Sequence, residues 1–272
     1  MKLSEAVLRL KSAGIESARH DAMEIFSEIG GISKSELMLG DAESFSEAVI
    51  SAVERRASRE PLQYIIGKCY FYNEEYEVNE SVLIPRSDTE ILVEYASRNI
   101  PEGKKFLDLC TGSGCVGIST LKNTVGTTAV LVDISEDALG VAERNARLNG
   151  VFERAELKRA DVFGECVGDE VFAVLSNPPY VKDSVYSSLE REIFHEPKIA
   201  FVGGEDGCDF YREITKKYKD RLECGGFIAY EIGYDQAEAL TLIGEKEGMD
   251  CRIIKDYSGN DRVAVLSKKA SG

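Results

Sequence analysis

Asn177-Pro178-Pro179-Tyr180 sets two hydrogen-bond acceptors beside an aromatic face, directly after an apolar run. That run, Val171-Phe172-Ala173-Val174-Leu175, predicts a buried strand stopping at Ser176. Two prolines in succession withdraw two backbone donors and end the strand. Each also pushes the residue before it towards extended geometry. The carbonyls of Asn177 and Pro178 are then left without ladder partners. A strand end in an open α/β sheet is where ligands bind. Asn177 Oδ1, the Pro178 carbonyl and the ring of Tyr180 suit a planar NH2 group, which donates two hydrogen bonds in plane and stacks on an aromatic face. The alternative is a Pro-Pro loop with a packing tyrosine, and the tetrapeptide alone does not separate the two.

A second constellation starts at Phe106-Leu107-Asp108-Leu109-Cys110, a strand pattern running into Thr111-Gly112-Ser113-Gly114 and then a helix. Glycines at 112 and 114 allow close approach of a ligand to backbone near a helix N-terminus. Residues 112–117 satisfy GxGxxG, and about 20 residues on the next strand ends in Asp133, placed to bind ribose hydroxyls. This is a nucleoside-binding pattern that does not choose its cofactor. Two residues favour S-adenosylmethionine over a nicotinamide. Asp108 can meet an amino-acid ammonium, a need that a dinucleotide site lacks; its plain role is a buried carboxylate capping loop amides. Asp161, followed by Val162-Phe163, can accept from an adenine amino group while apolar neighbours pack the ring; its plain role is a strand-end turn.

The elements that must position these residues alternate. After Pro101 the strands are predicted at 106–110, 129–134, 156–160, 171–176, 227–232, 251–255 and 263–267. Helices are predicted at 116–122, from the Ser135 cap to Leu148, at 210–222 and at 236–246. Such alternation means a mostly parallel sheet with helices on both faces. Before it, residues 2–59 carry apolar positions at helical spacing, and Ser33 with Glu36 forms a capping box. Tyr64-Ile65-Ile66, 69–72, 74–78 and Val82-Leu83-Ile84 look β-prone and predict a hairpin between domains, with Asn73 at a turn. The expected division is a helical bundle over 1–72, a β-hairpin linker over 73–88 and a catalytic domain over 89–272.

Composition narrows the field. Among 272 residues the net charge is −15, which repels phosphate backbones and favours a small molecule or protein partner over naked nucleic acid. A local basic patch around Arg55, Arg56 and Arg59 is the exception to consider. No stretch has the roughly 20 apolar residues of a membrane span. The beginning of the chain lacks the pattern of a secretory or transit segment. Seven cysteines without CxxC spacing, and only His20 and His195, argue against zinc and for reduced thiols. A cytoplasmic, metal-free, monomeric protein is expected.

Asp108-Leu-Cys-Thr-Gly-Ser-Gly114, Asp133, Asp161 and Asn177-Pro-Pro-Tyr180 together resemble a class I S-adenosylmethionine-dependent methyltransferase of the amino-methylating group. Pro61-Leu-Gln-Tyr-Ile-Ile-Gly67, Leu83-Ile-Pro-Arg-Ser-Asp-Thr-Glu90, Glu196-Pro197, residues 203–207, Glu231-Ile-Gly233 and Asp261-Arg262 narrow the resemblance to the HemK/PrmC family of release factor glutamine N5-methyltransferases. The resemblance implies a Rossmann-like α/β sheet whose last strand is antiparallel. It implies as substrate the glutamine of the Gly-Gly-Gln loop in class I release factors. It places Cys110, Thr111, Gly112, Ser113 and Gly114 on the methionine part of the donor, Asp133 on the ribose and Val162 beside the adenine, with Asp108, Ile134, Asp161 and Asn177 also among the donor-binding residues. Asn177, Pro178, Pro179 and Tyr180 would hold the substrate amide, with Arg86 touching the substrate loop or joining two domains. The family usually has glycine where Cys110 stands and a bulky aromatic where Val162 stands.

Three rivals are weighed. An adenine N6 methyltransferase would meet the same flat NH2 but needs a basic groove. A nicotinamide oxidoreductase uses GxGxxG but leaves Asn177 to Tyr180 without a role. A binding module would depend on the bundle alone. His195, without partners, is expected to be structural.

Overall fold

A computed structural model describes residues 1–268, which fall into two units. The first comprises Met1–Lys68 with Glu190–His195; the second comprises Cys69–Leu189 and the chain from Glu196 onward.

In the first unit, α1 (Leu3–Ser12), α2 (Ala18–Glu28), α3 (Lys34–Leu39), α4 (Glu47–Ala57) and α5 (Leu62–Ile66) bury one apolar cluster. Leu10, Ile25, Phe26 and Val53 are fully enclosed there. Full burial stabilises each such side chain by about 1.5–3 kcal/mol. Ser33 Oγ accepts from the Glu36 amide at 3.3 Å and Glu36 returns to the Ser33 amide at 3.1 Å, so the capping box forms as read. Arg56 donates to Asp21 at 2.7 Å inside the bundle, and Arg59 donates to Glu192 at 3.0 Å. These basic side chains are thereby engaged with carboxylates. Tyr64-Ile65-Ile66 departs from its β-prone reading and forms α5, closed by Gly67 at φ +78°. Leu62 and Ile65, three residues apart, face the cluster together, and that burial overrides local β preference.

The second unit opens with a hairpin, β1 (Lys68–Phe71) and β2 (Glu74–Glu77). Tyr72 and Asn73 both take positive φ, 50° and 67°, as a tight hairpin turn demands. There follow α6 (Glu90–Asn99), β3 (Lys105–Leu109), α7 (Cys115–Lys122), β4 (Thr128–Asp133) and α8 (Glu136–Leu148). Next come β5 (Ala155–Arg159), β6 (Val171–Ser176), a single helical turn α9 (Asp183–Tyr186) and α10 (Asp209–Tyr218). The chain closes with β7 (Leu222–Glu231), α11 (Ala237–Lys246), β8 (Met249–Lys255) and β9 (Asp261–Lys268).

The hairpin turns at Asn73 as read from 69–72 and 74–78; its strands end at Glu77, short of the end of the 73–88 linker, and it is fastened to α8. Asn145 accepts from the Glu77 amide at 2.7 Å and donates to the Glu77 carbonyl at 3.0 Å. Val82-Leu83-Ile84 forms no strand: the Ile84 amide goes to Glu196 Oε2, 3.0 Å away, instead of to a ladder.

The sheet order is β5-β4-β3-β6-β7-β9-β8. The first five strands in that order are parallel, and β9 enters antiparallel between β7 and β8. From β3 the chain steps outward to β4 and β5, then crosses back to lay β6 on the other side of β3. This reversal opens a crevice at the carboxyl ends of β3 and β6, where the connections leave in opposite directions.

Candidate functional site

A cavity of about 490 Å³ lies in this crevice, within the range that takes a drug-sized molecule. Its wall contains Arg86, Asp108, Cys110, Thr111, Gly112, Ser113, Asp133, Ile134, Asp161, Val162, Asn177 and Pro179. Gly114, Pro178 and Tyr180 lie outside the wall. Gly114, at φ +81°, opens α7 where a Cβ would stand 2.7 Å from Ile118 Cδ1 and 3.2 Å from Ala142 Cβ. Its glycine serves helix packing. Gly112, at φ +53°, has no atom within 4 Å of where a Cβ would be, so that backbone faces open space.

The loop after β3 is held by carboxylates. Asp108 Oδ2 accepts from Thr111 Oγ1 at 2.5 Å and from the Gly117 amide at 2.9 Å. No donor among the described residues is assigned to Oδ1. Burial pushes the Asp108 carboxyl up to about 7, against the pull of those two hydrogen bonds. Asp133 Oδ2 accepts from the Gly112 amide at 2.9 Å, and Oδ1 accepts from the Ser135 amide at 3.0 Å. Burial raises this carboxyl too, with the backbone donors opposing. A carboxylate offers about four lone-pair sites, so each acid retains acceptor capacity for a ligand. Cys110 takes φ +60°, a left-handed conformation that glycine adopts at no steric cost.

The loop after β5 has a composition of its own. Asp161 Oδ1 accepts from the Phe163 amide at 2.9 Å. Val162 packs against the central core, while half-exposed Phe163 reaches the cavity wall. Phe163 meets Phe210 edge to face, 4.9 Å between centroids, and both line the cavity. Sequence reading missed this pair as an aromatic wall. The signal was present in Phe163, directly after a residue where an aromatic was expected. Lys217 holds the loop from behind by donating to the Val162 and Gly164 carbonyls.

On the β6 side, Ser176 Oγ donates to the Leu109 carbonyl at 2.6 Å and ties the two strand ends together. Asn177 Nδ2 donates to Thr89 Oγ1 at 3.3 Å. Neither Asn177 Oδ1 nor the Pro178 carbonyl accepts a hydrogen bond from the described residues. Tyr180 points its hydroxyl to Glu231 Oε1 at 3.1 Å and packs against the central core. The Tyr180 hydroxyl therefore serves the inner side of the turn. Burial and the Glu231 charge push the Tyr180 pKa above its ordinary range. Glu196, enclosed at 5% exposure, pairs with Arg86 and accepts the Ile84 amide, so the segment before α6 is clamped beside the cavity. His195 ends a short 3-10 turn, Arg191–His195, grouped with the helical unit.

Residues 2–67 match the family described as PrmC N-terminal domain, and residues 87–204 match the methyltransferase small domain. A release factor glutamine methyltransferase of Thermodesulfovibrio yellowstonii is 40% identical over 261 residues, covering 92% of this chain and 93% of its own. One from Caulobacter vibrioides is 36% identical over 265 residues, covering 94% and 92%. Among solved structures, ribosomal protein L11 methylase from Lactobacillus delbrueckii subsp. bulgaricus superposes with a TM-score of 0.53 at 16% identity, over 71% of this chain and 84% of its own. That likeness bears on the fold alone. Among the described residues, no helix is long and apolar enough to cross a membrane.

Proposed function

The chain belongs to the release factor glutamine methyltransferase family, and from its site we propose how the residues of this chain carry out that chemistry. The enzyme uses S-adenosylmethionine to methylate the side-chain amide nitrogen of a release factor glutamine. The observation that carries the residue-level reading is the meeting, at one crevice, of a glycine loop backed by two acids and a turn whose Asn177 Oδ1 is uncommitted.

The residues present fit the donor. Asp133 would take the ribose hydroxyls, Asp108 Oδ1 would meet the amino-acid ammonium, and the open backbone of Gly112 would allow close approach. Thr111 and Ser113 line the same loop. Asp161, Val162, Phe163 and Phe210, which line the same cavity, would hold the adenine. The donor supplies a methyl group already activated on a sulfonium.

A glutamine amide nitrogen is a poor nucleophile because its lone pair is delocalised. Asn177 Oδ1 and the Pro178 carbonyl accept its two N–H bonds, which fixes the nitrogen and favours positive charge developing there. Pro179 shapes the wall beside it. Positioning for in-line transfer supplies most of the rate, so a strong base is not needed. Stacking on Tyr180 requires its ring face to be presented to the amide while the hydroxyl stays on Glu231. The proton leaves to water after transfer.

The helical unit recognises the protein substrate. Met38, Leu39 and Phe45 expose 73%, 89% and 83% of their surface there and are open to contact with a protein substrate. The enzyme acts as a cytoplasmic monomer on class I factors, with Arg86 near the Gly-Gly-Gln loop. The test is mass spectrometry of release factors incubated with enzyme and donor. Methylation confined to the loop glutamine, and abolished when that glutamine is replaced, supports the reading. Labelling of DNA or RNA at adenine in its place overturns it. Replacing Met38, Leu39 and Phe45 by serine raises KM for the intact factor while leaving donor affinity unchanged; an unaltered KM removes the recognition role.

A further inference from the structure

Ser113 lies between two glycines that both take positive φ, 53° at Gly112 and 81° at Gly114. Glycine on either side lets the peptide between Ser113 and Gly114 turn over at little steric cost. In the structure that peptide is held at both ends. The Gly114 amide donates to the Thr111 carbonyl at 2.8 Å, and the Ser113 carbonyl accepts from Asn145 Nδ2 at 2.9 Å.

Asn145 stands on α8 and is fully buried. Its hydrogen bonds fix which way round the carboxamide sits. Oδ1 accepts from the Glu77 amide at 2.7 Å, while Nδ2 donates to the carbonyls of Glu77 and Ser113 at 3.0 and 2.9 Å. Carbonyls only accept and a backbone N–H only donates, so the reversed amide would lose every one of these bonds. Ala142, one turn earlier on the same face of α8, is the residue whose Cβ would stand 3.2 Å from a Cβ at Gly114. The helix is thus packed directly against the glycine loop.

The anchor of Asn145 is itself firmly held. Asn149 donates to the Glu75 carbonyl at 3.0 Å, one turn further along α8. Fully buried Tyr76 sets its hydroxyl 2.6 Å from Ser119 Oγ on α7, the helix that leaves the glycine loop. Just beyond β2, Glu80, Ser81 and Val82 line the same cavity as Ser113, whereas Asn145 lies outside the wall. One buried amide therefore ties two wall segments together without entering the cavity.

We propose that Asn145 is a positioning residue for the donor: braced on the Glu77 backbone, it locks the Ser113–Gly114 peptide in the orientation that S-adenosylmethionine meets. This rests on the donor lying against the glycine loop. Asn145 touches no reacting atom, so it acts on donor binding and not on transfer.

The experiment compares wild type with Asn145→Ala, with Asn145→Asp, which keeps an acceptor for Glu77 but loses both donations, and with Asn149→Ala, which loosens the hairpin but leaves Ser113 held. Each is measured for donor Kd by calorimetry, for kcat on a release factor at saturating donor, for thermal midpoint and for amide hydrogen exchange without donor. Both Asn145 variants should raise donor Kd about tenfold, as when only about a tenth of the molecules hold the competent loop. Their kcat at saturating donor should stay within about twofold, since the turn at Asn177 is untouched. Exchange of the Gly114 amide in the donor-free protein should quicken about tenfold. Asn149→Ala should lower the thermal midpoint while donor Kd and Gly114 exchange stay as in wild type. A further readout needs no variant. In wild type labelled with ¹⁵N-asparagine, the Asn145 side-chain NH2 signals should exchange slowly and shift during donor titration, while those of Asn149 stay in place.

Wild-type donor Kd or Gly114 exchange in a folded Asn145 variant, an equal rise of Kd in Asn149→Ala, a fall in kcat with Kd unchanged, or Asn145 signals unmoved by donor each overturns the proposal. If Asn145→Ala and Asn145→Asp do not fold, the wild-type titration decides. Wild type that binds the donor without slowing exchange at Gly112 and Gly114 removes the donor from this loop, and the functional reading of the loop falls together with this one. Protection of those amides in wild type beside unaffected Asn145 variants sinks only the positioning role.

Discussion

Glu196 grips Arg86 and, two residues earlier in the chain, the backbone amide of Ile84, which lies 3.0 Å from its Oε2. The Glu196 side chain is 2% exposed while that of Arg86 is 42% exposed, so the buried acid organises the pair and the arginine keeps one face free beside the cavity. Glu196→Ala leaves the Ile84 amide without an acceptor. The expected destabilisation is about 1–3 kcal/mol, read as a lower urea midpoint. KM for the release factor should rise several-fold with donor affinity little changed. A variant with unaltered KM would show that this clamp serves stability alone.

Asp108 makes donor binding depend on pH. Its carboxyl is raised by burial to about 7, so without donor the folded protein holds this proton more tightly than the unfolded chain does. The group therefore subtracts stability as pH rises from about 4 to about 7 and contributes no further change above that. Donor binding runs the other way, because an ammonium favours the ionised carboxylate. Donor affinity should climb by up to about tenfold per pH unit below 7 and level off above it. Calorimetry between pH 5.5 and 8.5, in buffers of different ionisation enthalpy, would show close to one proton released at low pH. Asp133 shifts in the same direction, raised by burial. Asp108→Asn should bind donor weakly and with a flatter pH profile.

Much of this site was legible because its elements are short and strongly patterned. The apolar run 171–176 gave β6 to the residue, and Ser135 marked the start of α8. Two prolines placed the acceptors at the strand end. What escaped depends on contacts distant in sequence. Ile66 and Ile84 look alike locally, yet one closes a helix against the bundle and the other gives its amide to Glu196, 112 residues away. Gly114 fits a nucleotide pattern, and nothing local announces that a Cβ there would also stand 2.7 Å from Ile118 Cδ1. The partner of the Tyr180 hydroxyl was not legible, because nothing in its own segment announces Glu231, on another strand. Nothing in the segment around Thr89 announces its contact with Asn177, 88 residues away.

Cys110 stands where backbone geometry calls for glycine. A non-glycine residue in a left-handed conformation costs about 1 kcal/mol or more, while glycine loses some of that advantage through the entropy of the unfolded chain. Cys110→Gly should be neutral to about 1 kcal/mol more stable in denaturant titration, and donor affinity should hold or tighten because a side chain leaves the cavity wall. Cys110→Val should lose both stability and donor affinity, since a β-branched residue tolerates this φ poorly. A donor Kd weakened in Cys110→Gly would show that the thiol contributes a contact of its own.

The Asn177 carboxamide offers the sharpest separation of binding from chemistry. Its oxygen lacks a donor among the described residues, while its nitrogen is committed to Thr89. Asn177→Ala removes one of the two acceptors that grip the substrate nitrogen and leaves Asp108, Asp133 and the glycine loop untouched. kcat should drop by about 10²–10³-fold, as when one aligned hydrogen-bonding group is removed from a reacting centre. Donor Kd should remain within a few-fold. Asn177→Asp discriminates further. A carboxylate still accepts, but it can no longer donate to Thr89, and its charge would favour the substrate NH2 in the ground state as well as in transfer. The expected pattern is a smaller fall in kcat than in Asn177→Ala, with a lowered KM. Equal losses in the two variants would mean that the donation to Thr89, and not the acceptor facing the substrate, is what the turn requires of residue 177.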